Sequence, residues 1–82
     1  MLTKEAFQQL STVQQMLLVM DNGYNLLARK EDSLSIKLFK LNGFFVEVKY
    51  HLIENKIISV EVVLLDDVTD AYLSEIQIDN IF

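Results

Sequence analysis

The sequence predicts an α+β domain, with helix at both ends and a four-stranded antiparallel β-meander between them. Three observations carry this. Apolar residues recur at helical spacing as far as Met20, and Asn22-Gly23 stops the pattern. From Tyr24 the alternation has a period of two, broken at Lys30–Ser33, at Asn42-Gly43 and at Glu54-Asn55-Lys56. After Leu65 the acidic run Asp66-Asp67-Val68-Thr69-Asp70 opens a second helical pattern. The 82 residues leave room for one domain, 1–82.

Thr3 can cap a first helix, with Glu5 favourable in its first turn. Phe7 and Leu10 are expected to face inward. Ser11-Thr12-Val13-Gln14 has capping-box spacing. Two helical pieces are therefore expected, about residues 4–10 and 12–21, with a bend between them; one continuous helix is the alternative. Val13, Met16, Leu17 and Met20 share a face of the second piece, which is expected to meet the core. Gly23 is expected as a left-handed C′ residue.

The strands follow in order. Tyr24, Leu26 and Ala28 alternate with Asn25, Leu27 and Arg29, and Leu34, Ile36 and Leu38 with Ser35, Lys37 and Phe39. Phe44 to Leu65 reads as a long hairpin, rich in β-branched and aromatic residues. A slip of one residue turns every side chain over, so the pairing is expected to set apolar opposite apolar. A two-residue Asn42-Gly43 turn sets Lys37 opposite Val48 and Leu38 opposite Glu47. A three-residue loop, Leu41-Asn42-Gly43, sets Leu38 opposite Val46, Ile36 opposite Val48 and Lys37 opposite Glu47, and is preferred. The same test pairs Val46 with Leu64, Val48 with Val62, Tyr50 with Val60 and Lys49 with Glu61. For the first two strands it pairs Ala28 with Leu34 and Leu26 with Ile36. One apolar face results, and the helices are expected to pack on it.

Asp66 or Asp67 is expected to cap a last helix of about residues 67–75, with Val68, Ala71, Tyr72 and Leu73 as its apolar positions. Ile76, Ile78, Ile81 and Phe82 follow as an apolar tail.

The second sheet face carries the candidate site. Phe39, Phe45, Val63 and Leu65 are expected to meet there as an apolar patch, beside a charge ladder of Glu47, Lys49 and Glu61. Either the C-terminal tail covers that patch, or it binds a partner protein or a second copy of the chain. The long fourth strand, Ile57 to Leu65, is an edge that could pair with another sheet.

No motif carries chemistry. His51 is the single histidine and lacks a second ligand or a nucleophile. Glu47 and Glu61 read as charge partners of lysines, and Asp66, Asp67 and Asp70 as helix-terminal acid rather than a calcium loop. Gly23 and Gly43 are turn glycines without a phosphate-binding loop. No catalytic residue, metal or cofactor is expected.

The net charge of −5 repels phosphates, so nucleic acid is not an expected partner. Nor is a membrane: the longest apolar run is Met16–Met20. With no cysteine and no signal-peptide pattern, a cytoplasmic protein is expected.

The run Asn42-Gly43-Phe44-Phe45-Val46-Glu47-Val48, with Tyr50 and Glu54-Asn55-Lys56-Ile57, resembles a family of small uncharacterised bacterial proteins. Its members have a helical N-terminus, a phrase like Phe-Val-Glu-Val-x-Tyr and a turn like Asp-Pro-Glu-x-Asn-Lys-Ile. Leu52-Ile53 stands here where that pattern has Asp-Pro. The resemblance implies this fold and a bacterial origin, and no activity. The expected function is a non-catalytic protein-interaction module, in one version a homodimer. The alternative is an acidic inhibitor, of immunity or antitoxin type, for a basic partner protein.

Overall fold

Two side-chain caps begin the chain. In the computed structural model, which describes residues 2–75, Thr3 Oγ1 accepts from Ala6 N at 3.1 Å and starts α1 (Lys4–Gln8). Ser11 and Gln14 form the full capping box and start α2 (Thr12–Asn22). The first helix is thus two pieces, as the Ser11 spacing predicts. The strands are β1 (Tyr24–Glu31), β2 (Leu34–Leu41), β3 (Phe44–His51) and β4 (Lys56–Val63), and α3 (Leu65–Glu75) follows. They form one antiparallel sheet in the order β1-β2-β3-β4. The predicted α+β architecture is present.

The sheet is covered on both faces. Phe7 of α1 and Val19 of α2 pack on Leu41, Phe44, Val46 and Val48, with Phe39, Val60 and Val62 at the margin. Phe7 and Phe44 meet as a tilted pair, ring centres 5.6 Å apart. The N-terminal helices therefore share one face, as expected, but the expectation that all the helices pack on that face is corrected. The C-terminal helix takes the other: Tyr72 packs on Ile36 and Leu38, with Leu27, Leu34, Phe45, Val63, Leu65 and Val68 around it.

This second cover explains the register. Asn42-Gly43 makes the two-residue turn after all, with φ of 50° and 86°, the left-handed pair that a type I′ hairpin requires. Leu38 does lie opposite Glu47, and Lys37 opposite Val48, so the three-residue loop is corrected. Setting apolar opposite apolar assumed one buried face. Here β2 sends Ile36 and Leu38 to α3, and Phe39 and Leu41 to α1 and α2. Both parities bury apolar groups, and the local turn preference decides.

The first hairpin turns at Asp32-Ser33, with Asp32 at φ 55°. Glu31 pairs with Leu34, Arg29 with Ile36 and Leu27 with Leu38, in place of the Ala28–Leu34 and Leu26–Ile36 pairs. A bulge between Asn25 and Leu27 absorbs Leu26. In the last hairpin the faces are as expected but the register moves: by two where Val46 pairs with Val62 and Val48 with Val60, and by three where Tyr50 pairs with Ile57. The loop there is Leu52–Asn55, an even length, and an extra residue at Ile58 restores the parity.

Two helix-end expectations are also corrected. Gly23 is extended, at φ −76° and ψ 149°, not left-handed. A Cβ there would stand 2.5 Å from the Val19 carbonyl oxygen, so glycine is needed for close approach. α3 begins at Leu65, which puts Asp66 and Asp67 inside its first turn rather than at its cap. Their charge still favours that end of the helix dipole. The expected tail, Ile76 to Phe82, lies outside the described residues.

Candidate functional site

The proposed patch on the second face is where α3 sits. Phe45, Val63 and Leu65 are half-buried beneath it. Phe39 is on the opposite face, because the β2 register turned it over. The four do not form one open patch, and among the described residues the cover over Phe45 and Val63 is α3.

The charge ladder is likewise replaced. Lys49 pairs with Ser59, and Lys37 lies on the other face from Glu47. Glu47 stands opposite Glu61, which is exposed, while Glu47 is only 6% exposed. A buried carboxylate needs donors. Tyr72 supplies one, its hydroxyl donating to Glu47 Oε2 at 2.9 Å. The Arg29 guanidinium lies 5.3 Å from the centre of the Tyr72 ring and bonds Glu31 at 2.8 Å. Burial, then the hydrogen bond to Glu47, pushes the Tyr72 hydroxyl well above its ordinary value of 10.0. At Arg29 burial works against the charge, but the Glu31 hydrogen bond and the Glu47 carboxylate outweigh it and raise its pKa. The cluster ties α3 to the sheet, and every member has a structural task.

His51 has one too. Its Nδ1 accepts from Glu54 N at 3.0 Å, and its Nε2 lies 3.8 Å from the Glu54 carboxylate, which also pairs with Lys56 at 2.9 Å. Tyr50 donates to Asn55 across the same turn. These bonds hold Leu52–Asn55 in shape, and Asn55 takes the left-handed conformation, φ 58°. No group of three or more His, Cys, Asp or Glu side chains that could hold a metal ion occurs among the described residues.

The open apolar surface is on the first face, beside α2. The face of Val13, Met16, Leu17 and Met20 exists, but of its members only Met16 packs against the core, and Val13, Leu17 and Met20 do not. Gln15 and Val19 do. Gln15 Nε2 donates to the Phe7 carbonyl at 2.9 Å, in a buried position. That bond satisfies a carbonyl at the end of α1 and fixes the rotation of α2. Val13, Leu17 and Met20 are left 70%, 56% and 72% exposed.

Next to this stripe the sheet is uncovered. Met16 and Met20 form one wall of an open groove of about 520 Å³, and Ser35, Lys37, Phe39, Val48, Tyr50, Leu52 and Ile57 form its floor and other wall. Leu52 and its exposed neighbour Ile53 extend the apolar surface onto the turn. Of the proposed site residues, only Phe39 lines this groove. The sequence did hold a signal for it: Leu52-Ile53 puts apolar groups at a turn tip, where solvent favours polar ones.

No protein-family model, curated protein or solved structure matches this chain. Among the described residues, no helix is long and apolar enough to cross a membrane.

Proposed function

We propose that the protein is a non-catalytic protein-interaction module that binds a partner protein through the α2 stripe and the adjoining groove. The observation that carries this is the exposure of Val13, Leu17 and Met20 in a row on one helix, continuous with an apolar groove. The rotation of α2 that exposes them is held by the buried Gln15–Phe7 hydrogen bond. The methionines suit such a surface, since their unbranched side chains adapt to a partner. The bacterial origin stays part of this proposal, supported by the hairpin resemblance, and so does the cytoplasmic setting, supported by the lack of cysteine.

The test compares three proteins as bait in the cells that make the chain: wild type, a Leu17→Asp/Met20→Asp variant, and an Asp67→Asn variant on the α3 face. One bound protein, lost with the α2 variant and retained with Asp67→Asn, is the expected result. Because Leu17 and Met20 are exposed, the α2 variant is expected to stay folded, at a cost of about 1–2 kcal/mol from two aspartates in one helix. The same partner retained by the α2 variant would overturn the reading. Loss with Asp67→Asn alone would favour the acidic-inhibitor alternative, in which exposed Asp66 and Asp67 meet a basic partner. Sedimentation over a concentration range reads the homodimer version, which requires self-association that Leu17→Asp/Met20→Asp removes.

A further inference from the structure

The groove differs in charge from the rest of the chain. The net charge is −5. Yet the charged side chains on the sheet face that carries the groove are Lys30 and Lys37. The register puts Lys30 beside Ser35, and Lys37 beside Val48. Ser35, Lys37 and Val48 all line the groove. Ala28, Lys30, Ser35 and Lys37 also share an adjoining hollow of about 320 Å³, so the basic strip continues from the groove toward the β1 edge. Neither lysine takes part in an ion pair among the described residues. The sheet carboxylates, Glu31, Glu47 and Glu61, belong to the opposite face. Asp21, the one charged residue of α2, does not line the groove.

An occupant must therefore present apolar side chains to Met16, Met20 and Phe39, and negative charge along one flank, toward Lys37 and Lys30. An extended strand is poorly suited, because the groove offers side chains rather than an unpaired backbone edge. A helix with an apolar stripe fits a groove walled by another helix. Resting on the interaction-module reading, we infer that the partner docks as an acidic amphipathic helix, its apolar stripe in the groove and its carboxylates on the Lys30–Lys37 side. A basic or neutral helix meets the same apolar walls without that gain, so the two lysines set the choice of partner and its direction in the groove.

The probe is a displayed library of amphipathic helices with fixed apolar residues at i, i+3, i+4 and i+7 and random residues beside them. Selection on the full chain is followed by measurement of single peptides on wild type, Lys30→Glu/Lys37→Glu and Leu17→Asp/Met20→Asp. The expected winners carry Glu or Asp on one flank. They lose roughly tenfold in affinity on the lysine variant at low salt, as two surface charge contacts allow, and less at high salt. They also lose binding on the α2 variant. Winners with no acidic bias, still abolished by Leu17→Asp/Met20→Asp, would overturn this inference and leave the interaction module standing. Winners that ignore the α2 variant, or no winners at all, would overturn both.

Discussion

Tyr72→Ala is expected to cost about 3–5 kcal/mol, the range for deleting a buried aromatic side chain. For a chain of 82 residues that is a large part of the ~4–12 kcal/mol available. Tyr72 has no exposed surface and is the centre of the cluster that binds α3 to the sheet. It has a second task. Its hydroxyl is the donor to a carboxylate, Glu47, that the register forces into the core opposite Leu38. Tyr72→Phe keeps the ring and removes the donor, so about 1–3 kcal/mol is expected from the unsatisfied Glu47 alone. Glu47→Leu in the Tyr72→Phe background removes both polar partners and should recover most of that loss. Urea unfolding of the set distinguishes the effects. A neutral Tyr72→Phe would mean that Glu47 is not dependent on this bond. The pH dependence has a definite sign. The folded pKa of Tyr72 is raised, so its stabilising effect is whole below the ordinary value of 10.0 and is lost as pH rises above it. The unfolded chain ionises there while the native phenol stays neutral. Tyr72→Phe should show a flatter decline in stability on the alkaline side.

The same cluster shows why the register was hidden in the sequence. Glu47 opposite Leu38 is a poor pair when only the two strands are considered. It becomes acceptable when a tyrosine 25 positions later delivers a hydroxyl to it. No local pattern around Glu47 announces that partner. The elements themselves were legible, because Thr3, Ser11-Gln14 and Asn42-Gly43 act on their immediate neighbours. The faces of β3 and β4 were legible as well, since Val46, Val48, Val60 and Val62 alternate cleanly. β2 was not, because Leu-Ser-Ile-Lys-Leu-Phe-Lys-Leu has apolar groups at both parities and each parity finds a helix to cover it. The candidate site failed for a related reason. Phe45, Val63 and Leu65 do share one face, as their alternation predicts, but α3 occupies that face. The groove depends on how α2 is rotated, and a hydrogen bond between helices, from Gln15 to Phe7, sets that rotation. In the helical pattern alone, Val13-Met16-Leu17-Met20 is the better core face.

Phe7→Ala should be as damaging as Tyr72→Ala, about 3–5 kcal/mol, but through the other layer. Phe7 is fully buried against Phe44, in the cluster that holds α1 and α2 to the sheet. Its carbonyl accepts from both Leu10 N and Gln15 Nε2, so a shift of α1 also releases the bond that orients α2. The loss should therefore reach the groove, since Met16 and Met20 are carried by the helix that Gln15 positions. The milder Phe7→Leu keeps enough of the fold to measure this: binding of a helix selected for the groove should weaken more than Tyr72→Phe weakens it at matched stability. Phe7 and Tyr72 lie on opposite faces of the sheet and share no cluster, so their stability effects should add. A Phe7→Leu/Tyr72→Phe cycle is expected to close within about 0.5 kcal/mol. A larger coupling would mean that the sheet transmits strain between its two covers. In that case α3 would influence the groove from the far side, and partner binding would respond to Tyr72 as it does to Phe7.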